Sequence, residues 1–126
     1  MKMTMAEVLT INALYPMFQE RRMPVKIAYK FSKLFGYLKD EVDFYHKSLN
    51  KILDECAEKD ENGELIFLSD ESIKLKPEYI SRFKEETDSL LAIEVTIPDI
   101  KFNLDEMDGI ELNISEVNAL SKFIED

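Results

Sequence analysis

Ala28, Phe31, Phe35, Leu38, Val42, Tyr45, Leu49, Ile52 and Cys56 follow one another at alternating steps of three and four residues. This spacing places all nine on one stripe of an α-helix and matches the heptad period of helix-on-helix packing. It predicts a continuous helix over residues 24–58 with a buried seam. At 1.5 Å per residue the seam runs roughly 40 Å, longer than a chain of 126 residues requires for its own core. Part of the end marked by Ala28, Phe31, Phe35 and Leu38 is therefore expected to face a partner, with Phe31 and Phe35 as anchors, while a first helix covers some of the Ala28 side.

Shorter patterns flank the seam. Thr4 and Glu7 have the spacing of a capping box, so a first helix is expected from there, with Met5, Val8 and Leu9 inside. Pro16 should end or bend it near Leu14, and a polar link over Gln19 to Arg22 leads to Pro24, which suits the first turn of the long helix. Gly36 interrupts that helix, either for close approach of another backbone or by plain tolerance. Asn62-Gly63 reads as a tight turn. Leu65 to Leu68 and Ile73 to Leu75 then flank a four-residue loop, the pattern of a hairpin. After Pro77, the residues Ile80, Phe83, Thr87 and Leu90 repeat the helical spacing, and this helix is expected to lie antiparallel on the Cys56 end of the seam.

The C-terminal part turns to a period of two. Ile93, Val95 and Ile97 form a half-buried strand closed by Pro98, and two extended segments follow, Ile100 to Leu104 and Ile110 to Ile114, around the Asp108-Gly109 turn. Ser115 is the expected N-cap of a short final helix carrying Val117, Leu120, Phe123 and Ile124. These elements imply an α+β fold, mainly α: a long central helix in an antiparallel helical bundle with a small β-hairpin and short C-terminal strands. One domain over residues 1–126 is expected.

Charge changes the picture in one respect. The 45% hydrophobic content and the clear periodicities argue against disorder although the net charge of −10 is high, and that charge disfavours a nucleic-acid duplex or an anionic membrane as the main partner. Residues 1–53 carry 9 Lys and Arg against 5 Asp and Glu, whereas residues 54–126 carry 7 against 21. Arg22, Lys26, Lys30 and Lys33 line one edge of the predicted helix. That edge is either a solvated face attracted to the acidic half or a surface for nucleic acid or a partner. The acidic half is either a solubilising coat or an imitation of a phosphate ladder that occupies a basic groove on another protein. No apolar run approaches the ~20 residues of a membrane span, no charged leader precedes an apolar block, and a single cysteine makes no internal disulfide. A cytoplasmic protein is expected.

Catalytic vocabulary is sparse. His46, the only histidine, has Asp43 three residues before it, which suits a general base but more commonly an exposed helical residue. Cys56 falls on the seam and reads as a small buried residue. Glu58, Asp60, Asn62, Gly63 and Glu64 imitate the first half of a calcium loop, but the twelfth position is Ser69, where a bidentate glutamate is needed. No catalytic, cofactor-binding or metal residue is assigned, and no cofactor is expected.

Three strings, Pro24-Val25-Lys26-Ile27-Ala28-Tyr29, Ala57-Glu58-Lys59-Asp60-Glu61-Asn62-Gly63 and Ile110-Glu111-Leu112 with Ser115 before a terminal amphipathic helix, resemble a family of small proteins encoded by tailed phages and prophages of Gram-positive bacteria. The resemblance implies phage origin and expression in a bacterial cytoplasm. It supplies no activity and no site residues. The resulting expectation is a nonenzymatic interaction protein that docks to a protein partner or to itself, as a virion-assembly accessory or self-associating structural factor. Its rivals are an acidic inhibitor of a host nucleic-acid enzyme or defence system acting by mimicry, and nucleic-acid binding through Arg22, Lys26, Lys30 and Lys33.

Overall fold

The seam is carried by one unbroken helix. In the computed structural model, which describes residues 1–125, the order is β1 (Lys2–Thr4), α1 (Met5–Asn12), α2 (Tyr15–Glu20), α3 (Val25–Cys56), α4 (Ile80–Leu91), β2 (Glu94–Thr96), β3 (Phe102–Asn103), α5 (Ile114–Ala119) and β4 (Ile124–Glu125). Short 3-10 turns at Pro77–Tyr79 and Ser121–Phe123 precede α4 and β4. The fold is α+β and mainly helical, with two sheets of two strands each. Contacts divide the chain into two compact units, one of Met1–Asp43 with the segment from Glu94 onward and one of Phe44–Ile93.

The first unit begins with a capping box. The Thr4 hydroxyl accepts from the Glu7 amide at 3.2 Å and the Glu7 carboxylate from the Thr4 amide at 3.1 Å, satisfying two donors at the start of α1. Pro16 falls in the first turn of α2, where its missing N–H is not needed, so the chain stays helical through Gln19 and Glu20 where a polar link was expected. β1 pairs antiparallel with β2, Met3 opposite Val95, and both side chains are buried. Ile97 is buried as the alternation predicts, but Ile93 is exposed. β3 and β4 run parallel, Phe102 opposite Ile124.

The core of this unit gathers Met5, Val8, Ile11 and Phe18 with Ile27, Phe31, Leu34, Phe35 and Leu38 of α3, and with Phe102, Leu120 and Phe123. Phe31 stacks on Phe102 with centroids 4.5 Å apart and meets Phe18 edge-on at 5.0 Å. Asn113, not Ser115, caps α5: its side chain accepts from the Glu116 amide at 2.8 Å while Glu116 accepts from the Asn113 amide at 3.0 Å. The segment Ile110–Leu112 joins neither helix nor strand.

Gly36 does not serve close packing. A Cβ placed there meets no atom within 4 Å, so the position is tolerated space on the helix. Gly36→Ala is expected to raise the urea midpoint, worth about 0.5–1 kcal/mol, by removing backbone freedom from the unfolded chain. A lowered midpoint would show that the helix needs the glycine.

In the second unit α3 stops at Cys56, short of the expected residue 58, because the next residues enter β-type pairing. Ala57 bridges Leu75, Lys59 bridges Leu65, and Phe67 bridges Ile73, all antiparallel. The Lys76 amide donates to the Cys56 carbonyl at 2.9 Å and the Glu58 amide to the Lys74 carbonyl at 3.0 Å. The predicted hairpin therefore forms and also clasps the chain leaving α3. Gly63 takes φ +78°, as its turn requires. Arg82 of α4 pairs with Glu55 of α3, and Leu90 is buried, but Ile80, predicted to face inward, is exposed.

Candidate interaction site

The residues predicted as an open apolar face lie inside the first unit. Phe31, Phe35 and Leu38 are buried and Ala28 is half-buried, because α2 returns over this end of α3 and brings Phe18 and Tyr15 against the two phenylalanines. This end of the seam is consumed by packing within the first unit, and Phe31 and Phe35 are not free anchors.

The predicted basic edge is thinner than its spacing suggests. Lys30 pairs with Glu106 and donates to the Lys101 carbonyl at 2.8 Å. The Lys30 ammonium holds the Glu106 carboxyl below the usual carboxylate range. Arg22, Lys26 and Lys33 remain exposed and make no ion pair among the described residues. Lys33 lies 5.0 Å from the Tyr29 ring. Lys26, Tyr29, Lys33 and Tyr37 line a groove of about 680 Å³ beside Asp99 and Glu106. Asp99 is itself bonded to the Met1 amine at 2.9 Å, which lowers its pKa.

A second groove, of about 620 Å³, was not foreseen. Leu104, Met107, Ile110, Leu112, Val117 and Ile124 supply its apolar walls, and Asp105 and Asp108 stand at its border. Leu104 and Val117 are exposed. Asp105, Asp108 and the adjacent Glu111 make no ion pair among the described residues, and all three are exposed. Gly109 forms the turn with φ +93°, and Arg21 holds the far side of the segment by donating to the Glu111 carbonyl at 3.1 Å. The result is an open apolar trough with an uncompensated acidic border, complementary to a cationic amphipathic surface.

The remaining candidates are spoken for locally. His46 is exposed, with its ring 5.5 Å from that of Tyr45. Cys56 is buried with a free thiol. In the calcium-like stretch, one Asp60 oxygen accepts from the Asn62 and Glu64 amides at 2.8 and 3.0 Å, so it braces the turn, while Glu58 pairs with Lys74. Among the described residues, no three His, Cys, Asp or Glu side chains are grouped to hold a metal ion, and no helix is long and apolar enough to cross a membrane.

No protein-family model matches the chain, and no curated protein or solved structure matches it either.

Proposed function

We propose that this chain is a nonenzymatic docking protein of phage or prophage origin, in the class of virion-assembly accessories, that engages a basic protein partner. The observation that carries this reading is the apolar trough between Leu104 and Val117 with Asp105 and Asp108, which make no ion pair among the described residues, at its border. A partner held there gains from burying apolar side chains and is selected by lysines or arginines that meet the border. The net charge of −10 steers such a partner toward the chain. The phage origin rests on the three sequence strings named above.

The docking test is a comparison of capture from a Gram-positive host lysate by the native chain and by a Leu104→Asp/Val117→Asp variant. Both positions are exposed, so the variant is expected to keep its circular dichroism spectrum. A basic protein should be retained at ~0.1 M salt and released toward ~1 M, where the screening length falls from ~10 to ~3 Å, and the variant should lose it. Retention that ignores both salt and the substitutions argues against docking in this trough.

A second reading is favoured by the groove of Lys26, Tyr29, Lys33 and Tyr37, whose interleaved cations and rings suit single-stranded nucleic acid. Its test is a mobility shift that disappears with Lys26→Glu/Lys33→Glu.

A further inference from the structure

Ile110, Leu112 and Ile114 alternate with polar residues as a strand does, yet no strand forms there. Local pattern and folded state disagree here, and the apolar residues are incompletely covered: Ile110 and Leu112 are half-buried, Ile114 is 80% exposed, and Leu104 and Val117 stand exposed nearby. A strand pattern left without a neighbour marks an edge that another chain can complete.

The hydrogen bonds of the segment point the same way. The Ile110 amide is taken by the Met107 carbonyl at 3.2 Å and the Glu111 carbonyl by Arg21 at 3.1 Å. Among the described residues, the N–H and C=O of Leu112 have no hydrogen-bond partner. In an antiparallel pair, one residue exchanges both of these groups with the residue opposite. Arg21 anchors the Glu111 side of the segment, and the Leu112 pair is left for a neighbour.

We infer that Ile110–Leu112 accepts a β-strand from a basic partner: an extended segment in which apolar side chains enter the trough and alternate lysines or arginines meet Asp105, Asp108 and Glu111. This inference rests on the docking reading above and adds the backbone conformation and the side-chain pattern of the occupant. Backbone bonds to Leu112 give affinity that depends little on sequence. The trough and its acidic border select alternating apolar and cationic residues.

The probe is a synthetic peptide of about six residues, near the ordinary length of a strand, alternating valine and lysine. Two relatives accompany it, one N-methylated at the valine backbone amides, which face Leu112 when the valines enter the trough, and one with glutamate for lysine. Titrated into the isotopically labelled chain, the lysine peptide is expected to shift the Glu111 and Leu112 amide signals and to slow hydrogen exchange at Leu112. N-methylation should weaken binding about tenfold or more, the loss of roughly one or two hydrogen bonds, and the glutamate peptide should not bind. Equal binding of the methylated peptide in the trough, with Leu112 exchange unchanged, overturns strand addition and leaves the docking reading intact. Failure of the lysine peptide to bind at the trough, or equal binding of the glutamate peptide there, overturns the docking reading and this inference with it.

Discussion

Phe31→Ala lowers the unfolding free energy of the unit built from Met1–Asp43 and the segment after Glu94 by about 3–5 kcal/mol. The ring is 3% exposed, stacked on Phe102, met edge-on by Phe18 and followed one turn later by Phe35. Truncation removes apolar area and leaves a cavity between groups contributed by α2, α3 and β3, which cannot all close upon it. Domain stabilities are commonly 5–15 kcal/mol, so a loss of this size places the variant near its unfolding threshold. Urea denaturation followed in the aromatic near-ultraviolet signal measures it as a lower midpoint. Phe44→Ala, at an exposed position of the same helix, should stay within about 0.5 kcal/mol of the native protein. An effect of Phe31→Ala below about 1 kcal/mol would mean that the ring faces outward, as an anchor for a partner would.

The stripe that predicts α3 was legible because spacing alone specifies which residues share a helical face. What covers its Phe31 and Phe35 end was not. A strict three-and-four rule selects a narrow seam, and it passes over Ile27, Leu34 and Leu53, which are buried because α3 packs on more than one neighbour and needs a wider apolar face. The covering of Phe31 and Phe35 by α2 depends on Pro16 starting a helix, whereas the pattern had cast it as a stop. β1 was hidden for a different reason: Lys2–Thr4 overlaps the capping box, and its partner β2 lies some 90 residues away, where local periodicity carries no information.

The trough was half legible. Leu104, Ile110 and Leu112 stand out as alternating apolar positions, but alternation does not say whether a partner strand covers them, and Leu104 is left exposed with Ile110 and Leu112 half-buried. The N-cap was fully available: Asn113 stands three residues before Glu116, the spacing of a capping box, whereas Ser115 is followed at that distance by Asn118. The pairing of Arg21 with Glu116 was out of reach, since helical spacing drew attention to Arg22 and nothing local ties residue 21 to residue 116.

That pairing carries the second large expectation. Glu116 is 3% exposed; one of its oxygens accepts from Arg21 at 3.2 Å and from the Asn113 amide at 3.0 Å, and the other from Arg21 at 2.8 Å. Arg21→Ala leaves a buried carboxylate without its cation and releases the Glu111 carbonyl, so a loss of about 3 kcal/mol near neutral pH is expected, toward the lower end for a broken buried pair because Arg21 is 27% exposed. The Arg21 guanidinium, with the Asn113 amide second, holds the Glu116 carboxyl below its ordinary value of 4.5. A carboxyl depressed in this way contributes stability that is fully present above its unfolded pKa and is lost as pH falls through the folded one. Stability of the native chain should therefore decline below about pH 4.5, and in Arg21→Ala this part of the decline should vanish because the cation that depresses the folded pKa is gone. The two stability curves then approach one another in acid, where Glu116 is protonated in both proteins. Curves that stay parallel from neutral pH into acid would mean that Arg21 acts through its packing on Phe18, 4.7 Å from the guanidinium, and not through the carboxylate.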